Sequence, residues 1–522
     1  MERYAIGMQD FGNIRRGGYV YVDKTQYIPL LLEGSKYYFL ARPRRFGKSL
    51  FLSTLEYFFL GERDLFKGLP IDSYEWDWTE YPVIHIDLNG ADYTQPTSLD
   101  ERLSANLGSY EIQDEKKETN PLAIQERFRN LITSLYDKTG KQVVVLVDEY
   151  EKPILDALDY PELSDKHKDL LRGFYGVLKS LDKYLKFVFL TGVTKFGQMN
   201  VFSGLNNIRD ISLLEDYGAI CGITEKEMID NFPKGIEDLA KEEEIDFEEA
   251  VHLLKENYDG YHFSKKCPDI YNPYSLINAF ADREINAYWS ATGTPSLLAK
   301  ILKKKNFDLE KLDKARADRE RLMGMNNQFE DPVALFYQTG YLTIKTYDKY
   351  SKNYILGYPN KEVEKAFFKY LLPNYSGQNI METSSFMDQF KEALERGNPR
   401  LAMEVFEEFS AGISYDVIPL AETERHFQYI VYIVTRLLSS RTTTVKVEDK
   451  TSDGRIDLLI TTPEYIYVVE IKKDETPEEA LKQIRNKEYA LQFRNDTRKV
   501  FLIGMNFSTE KKRPDGFIIE SL

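Results

Sequence analysis

Residues 41–53 read ARPRRFGKSLFLS. Gly47-Lys48-Ser49 has the form of the last three residues of a phosphate-binding loop. Glycine lets the backbone approach an anion, lysine reaches the outer phosphates, and the hydroxyl can hold magnesium at the start of the next helix. The flanks agree. Tyr37-Tyr38-Phe39-Leu40 is an apolar run that reads as a strand, and KSLFLSTLEYFFLG sets Leu50, Leu55, Phe58 and Phe59 at helical spacing. Against the assignment, Arg42 stands where such a loop begins with glycine, and Pro43 has no N–H to give. A basic turn ahead of a helix would also account for these residues.

Two further segments favour a nucleotide site. QVVVLVDEY (142–150) is a β-branched run ending in Asp148-Glu149, and LKFVFLTGVT (185–194) ends in Thr191 and Thr194. An acidic pair at the end of a buried strand suits a magnesium ligand followed by a group that activates water. A threonine at the end of the other strand can sense the outer phosphate. YPVIHIDL (81–88) reads as one more strand, and helices are expected over 122–137 and 165–181. Strands alternating with helices define a doubly wound, parallel α/β domain over 1–220. The long gap from Lys48 to Asp148 leaves room for strands between them, and the two strand ends are expected side by side.

Residues 221–400 read as a mostly helical middle region. TEKEMIDNF and IDFEEAVHLLKENYDGY carry capping signals, and GYLTIKTY is a strand candidate. A last α/β unit, 401–522, is expected to hold a helix at 424–438, strands at 443–449, 455–461 and 464–472, a helix at 477–493 and a strand at 499–504. Within it, Asp457 lies early in one strand, with Glu470 and Lys472 on the next. Residues two apart on a strand share a face, so Glu470 and Lys472 point the same way. A hairpin would bring Asp457 to them. Two carboxylates and a lysine are what metal-assisted phosphodiester cleavage needs. Helices bearing Glu424 and Gln428 before the strands, and Gln483 after them, can supply an extra acid and a phosphate contact. Glu422 can take the place of Glu424.

Composition bounds the alternatives. The 522 residues are 42% hydrophobic and 29% charged, with a net charge of -15, so any nucleic-acid contact must come from a local patch. The cysteines, Cys221 and Cys267, have no metal-site spacing, and the five histidines form no zinc pattern. His262, amid aromatic neighbours, reads as a packing residue. Neither a signal peptide nor a membrane-spanning run is recognisable, which points to the cytoplasm.

YAIGMQDFGNIRRGGYVYVDKTQYIPLLLEGSKYYFLARPRRFGKSLFLSTLEYFF, LVDEYEKPI and NYDGYHF…IYNPYSLINAF together resemble the AAA-ATPase-like proteins common in gut anaerobes. In that family RPRRFGKS is the usual loop, so Arg42 is a family trait. GRIDLLI…YIYVVEIKKD…ALKQIRNKEYA resembles the PD-(D/E)xK nuclease-superfamily domain that accompanies it. The resemblance implies ATP held by Arg44, Arg45, Phe46, Gly47, Lys48 and Ser49, with Asp148, Glu149 and Thr191 around the outer phosphate. Ser49 and Asp148 would hold Mg2+. YVDKT (21–25) would lie against the base, and Arg209 is a further candidate for phosphate. In the C-terminal domain it implies Asp457 and Glu470 as ligands of Mg2+ or Mn2+, with Lys472 and Gln483 assisting. The Q-x-x-x-Y pattern of some such nucleases is absent, since Lys487 stands four after Gln483 and Tyr489 comes later. The expected function is an ATPase joined to a nuclease acting on nucleic acid, DNA more than RNA, in defence or mobile-element biology. The alternative is an ATP-dependent switch whose nuclease fold binds nucleic acid or protein without cutting. Oligomeric state is left open, although an arginine from a neighbour would speed hydrolysis.

Overall fold

A computed structural model describes all residues except 1, 112–122, 196–200, 203–204, 206, 290–297, 299–301, 303–307, 325–331, 414–422, 441 and 452–453. The chain divides into two compact units, residues 1–294 with 311–363, and residues 295–310 with 364–522. Residues 221–294 and 311–363 thus group with the N-terminal domain, and 364–400 group with the C-terminal one.

The first unit is built on β1 (Tyr37–Ala41), β2 (Val83–Asp87), β3 (Val143–Asp148), β4 (Leu185–Gly192) and β5 (Arg209–Asp210). They form a parallel sheet in the order β2-β3-β4-β1-β5. Parallel strands covered on both faces must be apolar throughout. YYFLA and VVVLVD accordingly have every residue buried. Helices Ser98–Gly108, Ile124–Thr139 and Pro161–Ser180 pack one face, where Phe128 and Phe174 stack at 4.3 Å. The sheet order corrects one expectation. β1 and β3 are not neighbours, because β4 runs between them and places Thr191 between the two site-bearing ends.

The rest of this unit is mostly helical, as expected, with two small sheets. Helix Glu225–Asn231 is capped reciprocally by Thr224 and Glu227, and helix Phe247–Tyr258 by Asp246 and Glu249. β6 (Ile223–Thr224) and β7 (Ile270–Tyr271) pair beside them, and β8 (Arg316–Ala317), β9 (Thr343–Asp348) and β10 (Asn353–Gly357) form an antiparallel sheet in the order β8-β10-β9. Glu362 is buried in this unit, accepting from Ser275 Oγ at 2.8 Å and Trp289 N at 2.7 Å. Burial raises its carboxyl from 4.5 to about 7. The folded chain therefore keeps a proton between pH 4.5 and 7 that the unfolded chain has released. The contribution of Glu362 to stability falls as pH rises through that window and is level above it, the loss being at most about 3 kcal/mol. Glu362→Gln is expected to reduce the pH slope of stability in urea titrations at a series of pH values, leaving the shares of the other buried carboxyls. An unchanged slope would remove Glu362 as its source.

The second unit holds β11 (Thr444–Thr451), β12 (Gly454–Thr461), β13 (Tyr465–Lys473), β14 (Lys499–Ser508) and β15 (Arg513–Ser521), side by side in chain order. Only β13 and β14 are parallel, joined by helix Pro477–Asn486. Two features differ from expectation. The helix ends at Asn486 instead of running to 493, since Glu488 turns to φ 48°, and a short 3-10 turn, Leu491–Phe493, follows. β15 is an additional strand whose alternating burial is weak on an edge.

Candidate functional sites

In the first unit, β1 delivers the chain into the loop. Arg42 does not face an anion. It is 1% exposed and donates to the carbonyls of Ala41 (2.9 Å), Ser212 (2.8 Å) and Tyr217 (2.9 Å), with its guanidinium 4.3 Å from the Phe263 ring centroid. The residue that replaces the loop's first glycine is thus an anchor behind it. Phe46 serves similarly, its buried ring edge-on to Tyr261 at 4.7 Å and Phe263 at 5.4 Å. Gly47 has φ +90°, a conformation that disfavours any side chain, and starts helix Lys48–Phe59.

Lys48 Nζ donates to the carbonyls of Arg42 and Pro43, each at 3.1 Å. Ser49 Oγ donates to one oxygen of Asp148 and Thr191 Oγ1 to the other, each at 2.5 Å. Ser49, Asp148 and Thr191 are therefore brought together, with β4 bridging the strands that carry the other two. Thr191 is wholly buried and holds Asp148 instead of facing the cavity. Thr194 is buried too, its N–H donating to Glu151. Glu149, at φ 51°, is turned out of line with the strand and lines the cavity.

That cavity, about 530 Å³, is also lined by Arg44, Arg45, Phe46, Gly47, Lys48 and Ser49. Its volume falls in the range of small-molecule sites. Arg45 is exposed and lies 4.6 Å from the Tyr274 ring centroid. Tyr21, Val22 and Lys24 of YVDKT reach the same cavity. Lys24 is buried and held by both Glu227 oxygens at 2.7 Å; burial lowers its ammonium, against the pull of Glu227. Arg209 is not among the lining residues. It sits on β5 opposite Tyr38, at the start of β1 and not its end.

Glu151 was not singled out by sequence reasoning. It is 1% exposed and accepts from the backbone N–H of Val193 and Thr194, at 2.5 and 2.9 Å. Its other oxygen has no hydrogen-bond partner and occupies the space where a Cβ on Gly192 would stand, at 2.3 Å. Burial, with Glu149 adding to it, raises this carboxyl to about 7. It clamps the end of β4 to the end of β3. One acid among three in DEYE carries no pattern that marks it for burial. His262 pairs with Asp269 at 3.1 Å, and hydrogen bonds to Asp269 and Cys267 push its imidazole up to about 9.

In the second unit the hairpin β12–β13 does what its spacing promised. The register Leu458↔Val469 carries Asp457 opposite Glu470, and Asp457 Oδ2 accepts the N–H of Ile471 at 2.8 Å. Glu470 is 2% exposed. One of its oxygens accepts from Gln483 Nε2 and lies 3.7 Å from Lys472 Nζ, which donates to Gln483 Oε1 at 2.5 Å. The other oxygen is buried without a partner. Burial, then the charge of Asp457, raises the Glu470 carboxyl to about 7. Gln483 gets there because its helix packs closely on β14. A Cβ on Gly504 would stand 2.2 Å from the Pro477 carbonyl. Gly504→Ala is therefore expected to push the helix away, costing about 1–3 kcal/mol in urea unfolding. A variant as stable as the parent would show that the helix yields freely. Tyr489 is buried in this core. Gln428 is exposed, Glu422 lies outside the described residues, and so does the side chain of Glu424.

A P-loop on a parallel sheet and a D…E-x-K cluster on a mixed one define an ATPase-type domain and a nuclease-type domain in one chain. The sequence model of a family described as a predicted AAA-ATPase matches residues 5–202, and that of the PD-(D/E)XK nuclease superfamily matches residues 422–514. The chain belongs to the AAA-ATPase-like family and carries a C-terminal domain of the PD-(D/E)XK nuclease superfamily. An uncharacterized protein from the vnfD 5' region of Azotobacter chroococcum mcd 1 is 35% identical over 538 residues, spanning 100% of this chain and 99% of its own. Among solved structures, the Orc1 protein of Aeropyrum pernix in complex with DNA aligns at 11% identity and a TM-score of 0.25, over 69% of this chain and 96% of its own. That likeness is too weak to carry an argument.

Both donor sets fit a divalent ion. Among the described residues no group of three or more His, Cys, Asp or Glu gathers, so each candidate centre relies on fewer acids plus other oxygens. Glu470 offers an orphaned buried oxygen beside Asp457, and Ser49 with Asp148 pairs a hydroxyl with a carboxylate. No helix is long and apolar enough to cross a membrane among the described residues.

Proposed function

We propose that the chain binds and hydrolyses ATP in its first unit and cleaves nucleic acid, DNA more than RNA, in its second. The observation that carries this is the convergence of Asp457, Glu470, Lys472 and Gln483 in the second unit, in a chain whose first unit holds a P-loop cavity. Lys48 and the loop N–H groups bind the outer phosphates, with Arg44 and Arg45 at the rim. Ser49 and Asp148 hold Mg2+, Thr191 fixes Asp148, and Glu149 positions the water that attacks. In the second unit Asp457 and Glu470 hold Mg2+ or Mn2+, which when bound offsets charge on the phosphodiester and lowers the pKa of water. Lys472 orients that water, and Gln483 orients both Lys472 and Glu470. On this reading the ATP machinery lies within 1–220, the middle region 221–400 links it to the nuclease domain, and 401–522 cuts.

The test is incubation with single- and double-stranded DNA and RNA, with either ion, with and without ATP. Cleavage that disappears in Glu470→Ala is expected. No cleavage of any substrate, beside ATP hydrolysis that needs Lys48, would instead make the second unit a binding module.

A further inference from the structure

Strands β9 and β10 make a hairpin whose tip, residues 349–352, reads KYSK. Tyr350 at this tip is 101% exposed, the most exposed of the large hydrophobic side chains among the described residues. An aromatic ring held wholly in water makes no contribution to a core. Lys349 and Lys352 flank it, both exposed. Asp348, the acid nearest the tip, is engaged in the turn itself, accepting from the N–H of Tyr350 at 2.9 Å and from Ser351 Oγ at 2.7 Å.

More cations surround the hairpin. Lys265 Nζ sits 4.1 Å from the Tyr347 ring centroid, and Tyr347 packs on Tyr354 across the hairpin at 4.9 Å. Arg316, exposed on β8, pairs with Ile355 of β10 and is close enough to Asp348 to lower its carboxyl, after the hydrogen bonds from Ser351 and Tyr350. Among the described residues Lys265, Lys349, Lys352 and Arg316 make no ion pair. In a chain of net charge -15, Lys265, Lys349, Lys352 and Arg316, all exposed, gather positive charge around a bare tyrosine.

We propose that this hairpin is a docking surface for single-stranded nucleic acid, with Tyr350 stacking on a base and Lys349 and Lys352 contacting the flanking phosphates. This rests on the reading that the chain acts on nucleic acid. Charge complementarity selects a polyanion, and the free ring selects one with unpaired bases, since bases in a duplex are already stacked on each other.

The test is fluorescence anisotropy with a labelled oligothymidine of about twenty nucleotides, without divalent ions so that nothing is cut, over a series of salt concentrations. The charge-reversal pair Lys349→Glu/Lys352→Glu is expected to weaken binding at least about tenfold and to lower the log–log salt slope by about 1.4, two single-strand phosphate contacts. Tyr350→Ala is expected to weaken it roughly five- to hundredfold with the slope unchanged. ATP hydrolysis without nucleic acid is expected to stay at the parent rate in both. A duplex of equal length should be indifferent to Tyr350→Ala. Parent-like binding by the hairpin variants would overturn the surface. If those variants bind normally while Glu470→Ala still abolishes cleavage, the functional reading stands and only this surface falls. Equal losses on duplex would overturn the stacking. Binding to phosphatidylserine vesicles, with none to the oligonucleotide, would make the hairpin a membrane contact and overturn the proposal.

Discussion

Lys48→Ala is expected to abolish ATP hydrolysis, by a factor on the order of 10²–10³ or more, the scale on which a preorganised charge facing a transition state is felt. Whereas the buried guanidinium of Arg42 does not line the cavity, the buried ammonium does. It rests on the Arg42 and Pro43 carbonyls at 3.1 Å, while Arg45 lies outward on Tyr274. Removing it also frees those two carbonyls, each bond being worth about 1 kcal/mol, so thermal unfolding must be followed beside the rate. A folded Lys48→Ala chain that turns over ATP at the parent rate would refute the loop as a phosphate site. Arg42→Ala separates the two roles in the loop. Its guanidinium ties Ala41, Ser212 and Tyr217 together, so stability should fall and any loss of ATP binding should follow from it.

Glu470→Gln is expected to remove cleavage by about 10²–10⁴-fold, since holding the ion that offsets phosphate charge is worth several kcal/mol. Its effect on stability should have the opposite sign. Glu470 is buried with one oxygen unpartnered and a carboxyl raised to about 7. The folded state therefore favours the protonated form, and ionising it above that pH weakens the fold. A glutamine carries no charge to desolvate. The variant should be at least as stable as the parent above neutral pH while being inactive, a trade common where a site is strained for function. Cleavage retained in Glu470→Gln would mean that the chemistry lies elsewhere.

Much of this was legible before any coordinates. The strands YYFLA, VVVLVD and LKFVFLTG announce themselves because a parallel sheet buried on both faces leaves no alternation to confuse. Asp457, Glu470 and Lys472 could be placed on one hairpin because strand parity is strict. Other features were illegible for physical reasons. The order β2-β3-β4-β1-β5 depends on which crossovers the chain takes, and the run of strands does not encode it. Arg42 shows in a one-dimensional string only as a departure from the loop's first glycine, because its partners Ser212 and Tyr217 lie far along the chain. Glu151 is hidden among acids that look alike until the end of β4 folds over it. β15 alternates too weakly, as an edge strand does, to stand apart from a loop.

Calorimetric titration of Mn2+ into the metal-free chain tests the central claim, two separate ion-dependent phosphate centres, most directly. The account predicts one binding event that needs no nucleotide and is lost in Glu470→Ala, and a second that appears only with a non-hydrolysable ATP analogue and is lost in Ser49→Ala. A single event, or two that vanish together in either variant, would contradict it.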